Sequence, residues 1–185
     1  MTKQICLVSC TAAVILALAL SACSPVLVRD PIGEAPYPVQ REEWEGEWIH
    51  EDGLAIIRVA DEGEGTLLIS GVEEKDDALR LETLKVTFRR SGEWIFASMR
   101  DESASKKENE YVWGRVRKVD DLILVWLPDA DKFKRLIEEG ILPGETDDGV
   151  LLTDLKKAHY EIITSGAQGV LFEWDEPMIL RRVPR

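Results

Sequence analysis

Residues 44–48 read Trp-Glu-Gly-Glu-Trp. They open a long series of short runs, apolar or alternating, each cut by turn residues. Period-two alternation over five to ten residues marks strands that bury one face. On that basis strands are predicted at Glu45–His50, Leu54–Ala60, Gly65–Val72, Leu79–Phe88, Glu93–Arg100, Glu110–Val119 and Asp121–Leu127. Ser91-Gly92 and Asp120-Asp121 supply tight connections, and Glu51-Asp52-Gly53 and Glu62-Gly63-Glu64-Gly65 are equally turn-rich. Within Leu79–Phe88 the apolar residues change parity, since Leu79 and Leu81 alternate on one face and Leu84, Val86 and Phe88 on the other. Such a slip predicts a bulge or a break.

The pattern changes after Pro128. Phe133, Leu136 and Ile137 fall on one stripe of a helix over Asp131–Gly140, with Gly140 suited to its stop. A second helix is predicted after a cap at Thr153 or Asp154, with Leu155, His159 and Ile162 on its inner stripe and Gly166 at its end. Val170–Trp174 and Met178–Val183 then read as closing strands. The expected class is mainly β with two short helices, arranged as an antiparallel β-barrel or a strongly curved sheet whose last strand meets the first.

Gly46-x-Trp48 resembles the Gly-x-Trp signature of lipocalins and their calycin relatives. In that family the tryptophan closes one end of the barrel against an arginine late in the last strand. The resemblance implies a lipocalin-like barrel in which Gly46 and Trp48 meet Arg181 or Arg182. A guanidinium suits that place because it stacks on an indole face while its N–H groups satisfy nearby carbonyls. Two helical segments late in the chain depart from the single long helix of the family. In such a barrel Trp94, Phe96, Trp113, Trp126 and the aliphatics of Leu122–Leu127 are candidates either for an apolar cavity or for ordinary core.

Composition narrows the chemistry. The chain has 185 residues and a net charge of −12, which repels phosphate backbones and argues against nucleic acid as a partner. The three cysteines, Cys6, Cys10 and Cys23, all lie near the start, so the body offers no internal disulfide and no thiolate metal site. Only two histidines occur, His50 and His159. His50 lies beside Glu51 and Asp52 at a turn, where a histidine–carboxylate pair is the one candidate for a general base; an uninvolved exposed histidine is the simpler expectation. No Gly-x-Ser-x-Gly, phosphate loop or His-Glu-x-x-His is present. The acidic clusters lack the spacing of a calcium loop. Neither catalysis, a cofactor nor a metal is expected.

The first 22 residues have the layout of a secretory leader: Lys3, then a nearly unbroken apolar run from Ile5 to Leu20 that is short for a bilayer span. Leu20-Ser21-Ala22-Cys23 resembles the lipobox of bacterial lipoproteins. That resemblance implies cleavage before Cys23, acylation at Cys23, and a stable membrane anchor made of more than one acyl chain. Ser24 is not the aspartate that retains such proteins in the inner membrane of Gram-negative bacteria, so the outer membrane is the expected address, with the domain facing the periplasm. Pro25, Pro31, Pro36 and Pro38 punctuate the stretch to Arg41. They predict an extended spacer over residues 23–41, neither helical nor paired, before one β-rich domain over 42–185. Two roles follow as expectations. The domain holds a small hydrophobic or lipidic ligand, or it docks on another envelope protein with no pocket at all. A hollow interior of a few hundred Å³ distinguishes the first from the second.

Overall fold

The computed structural model describes residues 25–51, 53–75, 78–100, 110–147, 149–165 and 171–184. In chain order its elements are β1 (Val26–Val28), β2 (Ala35–Pro36), α1 (Arg41–Trp44), β3 (Gly46–His50), β4 (Gly53–Asp61), β5 (Thr66–Lys75), β6 (Ala78–Ser91), β7 (Trp94–Arg100), β8 (Tyr111–Val119) and β9 (Leu122–Trp126). There follow α2 (Ala130–Glu138), β10 (Gly144–Glu145), β11 (Val150–Leu152), α3 (Lys157–Ile163) and β12 (Met178–Arg182).

Strands β3 to β9 form a continuous antiparallel meander, and β12 inserts between β9 and β3 to close it. The result is a closed eight-stranded antiparallel barrel of lipocalin-like form. Closure rests on two short ladders: Arg181↔Ile49 and Arg182↔Trp48 on one side of β12, and Met178↔Val125 through Arg181↔Leu122 on the other. The strand expectations from Glu45 to Leu127, and the closing strand at Met178–Val183, match this meander.

Alternation along each strand sorts side chains between two separate cores. Trp48, Ile57, Val59, Leu67, Val86, Phe88, Val116, Ile123 and Leu180 point inward and fill the barrel. Phe96, Trp113 and Trp126 lie on the opposite parity of β7, β8 and β9 and belong to a second core outside the barrel wall. That outer core is covered by Val26, Val28, Phe133, Leu136, Val150, Leu152, Tyr160 and Ile163, from β1, α2, β11 and α3. Strands β7 to β9 are therefore buried on both faces, which is why their sequences carry apolar residues at both parities.

The segment expected to be an unpaired spacer is part of the fold. Val26, Val28, Ile32 and Val39 are each at most 3% exposed. β1 pairs in parallel with β11 and antiparallel with β8, and β2 pairs with β6. The prolines permit this because the donating N–H groups belong to the residues between them: Glu34 to the Arg90 carbonyl (2.8 Å), Tyr37 to Phe88 (3.0 Å) and Val39 to Glu62 (2.9 Å). Proline is tolerated wherever the ladder needs no donor. Ile32 donates its N–H to the buried Ser98 hydroxyl at 3.0 Å.

Other expectations change as well. β5 and β6 keep one uninterrupted register from Thr66↔Thr87 to Lys75↔Ala78, so the parity slip in β6 is not a bulge. Leu81 faces outward and is 71% exposed, while Leu84, Val86 and Phe88 face in. The register shift sits instead between Val59 and Asp61 of β4. α2 begins one residue earlier than expected, capped by the Asp129 carboxylate on the Lys132 N–H, and ends at Glu138, with Gly140 at φ +71° as the stop two residues on. There Gly140 and Ile141 donate back to Ile137 and Leu136 at 2.9 and 2.8 Å, the paired bonds of a Schellman stop. α3 starts only at Lys157, because Asp154 adopts φ +50° and breaks the chain direction. Its expected end at Gly166 lies outside the described residues. No strand forms at 171–174, where a single bridge joins Pro128 and Phe172. A third helix, the single turn α1, was not expected.

If residues 26–39 carry load, truncating the fully buried Ile32 removes core volume. Ile32→Ala should lower stability by about 2–5 kcal/mol in urea unfolding. An unpaired spacer would tolerate it without measurable change.

Candidate functional site

One end of the barrel is built from Trp44, Gly46 and Trp48 together with Arg182. α1 carries Trp44 down onto Phe88, ring centroids 4.8 Å apart. The Trp44 carbonyl accepts from Trp48 Nε1 at 3.0 Å. Arg182 lies over the Trp48 ring with its guanidinium carbon 5.6 Å from the centroid. Its Nη2 donates to the carbonyl of Glu42 at 3.0 Å and to that of Glu45. These carbonyls have no partner within so short a helix, and a fixed cation is the natural way to satisfy them.

Gly46 is required here for two reasons. Its φ of +149° is one that L side chains rarely adopt, and a Cβ would lie 3.3 Å from Arg182 Nε. Of the two candidate arginines, then, Arg182 meets Gly46 and Trp48, whereas Arg181 is exposed on the outer face opposite Ile49.

Above this plug the barrel contains an apolar cavity of about 90 Å³. Trp44, Ile57, Leu67 and Leu180 lie toward its floor, and Leu84, Met99, Val112, Leu127 and Met178 line its upper part. Every one of its lining residues is apolar or glycine. Its origin is visible in the row Phe88↔Ala97↔Gly114 across β6, β7 and β8. Along that row the inward side chain shrinks from a ring to a methyl to nothing. Ala97 and Gly114 leave space that Phe88 cannot fill. The volume is well under the few hundred Å³ of a drug-sized site, but several times what one water needs. With no polar lining it has nothing to hold water.

Of the residues offered as cavity lining, Trp94, Phe96 and Trp126 do not line it; their parity sends them outside. Trp113 touches the cavity while packing in the outer core, and its buried Nε1 has no hydrogen-bond partner. Ile123, Val125 and Leu127 do line it.

An arrangement not anticipated lies on the outer face. Arg115 of β8 sits in the corner formed by the nearly perpendicular rings of Trp94 (4.0 Å to centroid) and Trp174 (4.5 Å), with Trp126 at 5.4 Å. Burial, with a smaller push from Arg117, lowers the Arg115 pKa from its ordinary value. An arginine is the residue that stays charged regardless. The signal for it was parity: Trp94, Arg115 and Trp126 all occupy outward positions on adjacent strands. The cage is filled by the chain's own cation and so is structural.

His50 is not at an exposed turn; it is 9% exposed at the end of β3, and Asp52 lies outside the described residues. His159 does not pack as an inner-stripe residue: its Nδ1 accepts from the Lys156 N–H at 3.0 Å and caps α3. Among the described residues no group of three or more His, Cys, Asp or Glu side chains is placed to hold a metal. Cys23 and the residues before it lie outside the described residues.

These features define a lipocalin-like barrel with Arg182 across one end and a small, apolar-lined cavity inside. No protein-family model, curated protein or solved structure matches the chain.

The two arginines make a clean comparison. Arg182→Leu strands at least two carbonyls and should cost about 2–3 kcal/mol in chemical denaturation, with a change in tryptophan emission. Arg181→Leu should stay within about 0.5 kcal/mol of the parent.

Proposed function

We propose that the chain is a non-catalytic lipoprotein of the bacterial cell envelope, anchored in the outer membrane through Cys23, whose barrel holds the apolar part of a small lipidic molecule. The observation that carries the binding half is the cavity, which is smaller than the few hundred Å³ expected of a carrier and so admits only a slender apolar group. An empty apolar void of about 90 Å³ costs about 2 kcal/mol of stability. Retaining it in an otherwise well-packed core makes sense if something slender fills it. The lining supplies contact area and no hydrogen bond, so it selects an alkyl tail or a small ring rather than a polar metabolite. The anchoring half is supported by Leu20-Ser21-Ala22-Cys23 directly behind an apolar leader.

A second reading, docking on another envelope protein, is favoured by one specific observation. Ile49 pairs with Leu54 and Val72 with Leu81 on the outer face, and the register Ala55↔Gly71 sets Leu54 beside Val72. All four are exposed. A ladder of aliphatics across four strands is a surface that a partner can cover.

Ala97 separates the two. Ala97→Val adds two methyl groups to the cavity wall and should raise stability by about 1 kcal/mol. It should also weaken binding of xenon, an apolar probe small enough for this cavity, by about tenfold as read by xenon NMR. If the parent protein binds no such probe, the carrier reading falls and the docking reading stands. For the anchor, Cys23→Ser should move the protein from the membrane fraction to the soluble fraction; unchanged fractionation would sink it.

A further inference from the structure

The wall of the barrel has a fork. β8 pairs with β1 at Tyr111 and Val112, then with β9 from Arg115 to Val119. Between those two partners lie Trp113 and Gly114. Val112, Trp113 and Gly114 all line the cavity, and so does Leu127, just past the end of β9. The cavity thus reaches the place where the wall divides. Of the two strands that part there, β1 is the one that leads back to Cys23.

Leu27 is paired to Val112, and Cys23 precedes Leu27 by four residues, which extend at most about 14 Å. The expected spacer, which would have let the domain stand off in any orientation, is instead paired from Val26 onward. An anchor at Cys23 therefore cannot be far from the fork, and it cannot swing freely around the domain.

From this we propose that the flank of the barrel bearing the fork, together with the β1, α2 and β11 cover packed over it, is turned toward the bilayer. The inference rests on Cys23 acylation as proposed above. It adds an orientation: the cover over β8 and the exposed Glu173 beside Leu127 are turned toward the membrane, and β4, four strands away around the barrel in either direction, faces away.

The test uses the acylated protein, reconstituted in vesicles of phosphatidylethanolamine and phosphatidylglycerol. Acylation blocks Cys23, and Cys6 and Cys10 leave with the leader, so an introduced cysteine is the sole free thiol. Glu173→Cys reports on the fork flank, since the Glu173 N–H donates to Leu127 at 3.0 Å while its side chain is exposed. Asp175→Cys is a second position on that flank, and Ala60→Cys, exposed on β4, reports on the far side. Each carries a bimane label, quenched by doxyl lipids in the vesicle. Quenching should be several-fold stronger at 173 and 175 than at 60. Equal quenching, or stronger quenching at 60, on a chain whose intact mass carries the lipid overturns the orientation and leaves the anchor standing. An intact mass without the lipid overturns both. The result does not depend on whether any ligand binds.

Discussion

The Arg182 guanidinium holds together parts of the chain that are far apart in sequence. It sits on the Trp48 ring in the first barrel strand, belongs to the last one, and binds the carbonyls that α1 leaves open. A barrel closed by a five-residue strand with only two register pairs to β3 has little ladder to rely on. The side chain compensates by making contacts that only the closed form offers. Gly46 follows from the same constraint, since a Cβ there would meet Arg182 Nε. Trp44 follows too, because the α1 carbonyls must be delivered over the barrel mouth, and the turn that does this carries an indole against Phe88. This end of the barrel is a single unit, and the interior above it is shaped by how that unit seats.

The second organising fact is that the wall is not uniform. β3 to β6 present one face to the barrel core, whereas β7 to β9 are covered on both faces. The outer core is aromatic: Trp113 meets Phe96, Phe133 and Phe172 edge to face at 5.8, 5.5 and 5.8 Å. Stacking of that kind is directional and adds to the gain from burial. It ties α2, β1 and the segment around Phe172 to one side of the barrel. The late helices, which fit poorly with a single-helix barrel, are the cover this side needs.

Much of the barrel was legible because alternation is a direct imprint of a wall with one wet face. Strands β3, β4, β7, β8, β9 and β12 could be read to within about a residue, whereas β5 and β6 each run three residues past their expected ends at Val72 and Phe88. Where both faces are buried, parity no longer says which side is inside. Trp94, Phe96 and Trp126 looked like cavity lining for that reason and proved to be the outer core. Leu81 misled in the opposite direction: an apolar residue on the wet face mimicked a strand break. The proline-rich segment was misread because proline content predicts what a chain does alone. It does not show which carbonyls across the sheet, here those of Phe88, Arg90 and Glu62, stand ready to receive the N–H groups between the prolines. The plug was legible down to two arginines, and the choice between them required the pleat. The cavity was not legible, because it arises from a row of three residues on three strands whose register no single strand reveals.

That row also joins the cavity to the fork. A side chain at Gly114 would fill the void, yet its Cβ would lie 2.9 Å from the Trp126 carbonyl and 3.1 Å from Val125. β9 lies that close to β8 where Arg115 pairs with Trp126, and β1 takes over the β8 edge at Val112, two residues from Gly114. Glycine is the residue this close approach admits, and its missing side chain leaves the interior short at the height where the wall divides. Ala97 beside it adds only a methyl, so two small residues on neighbouring strands are enough to keep an apolar recess in an interior otherwise filled by Phe88, Leu67 and Ile57.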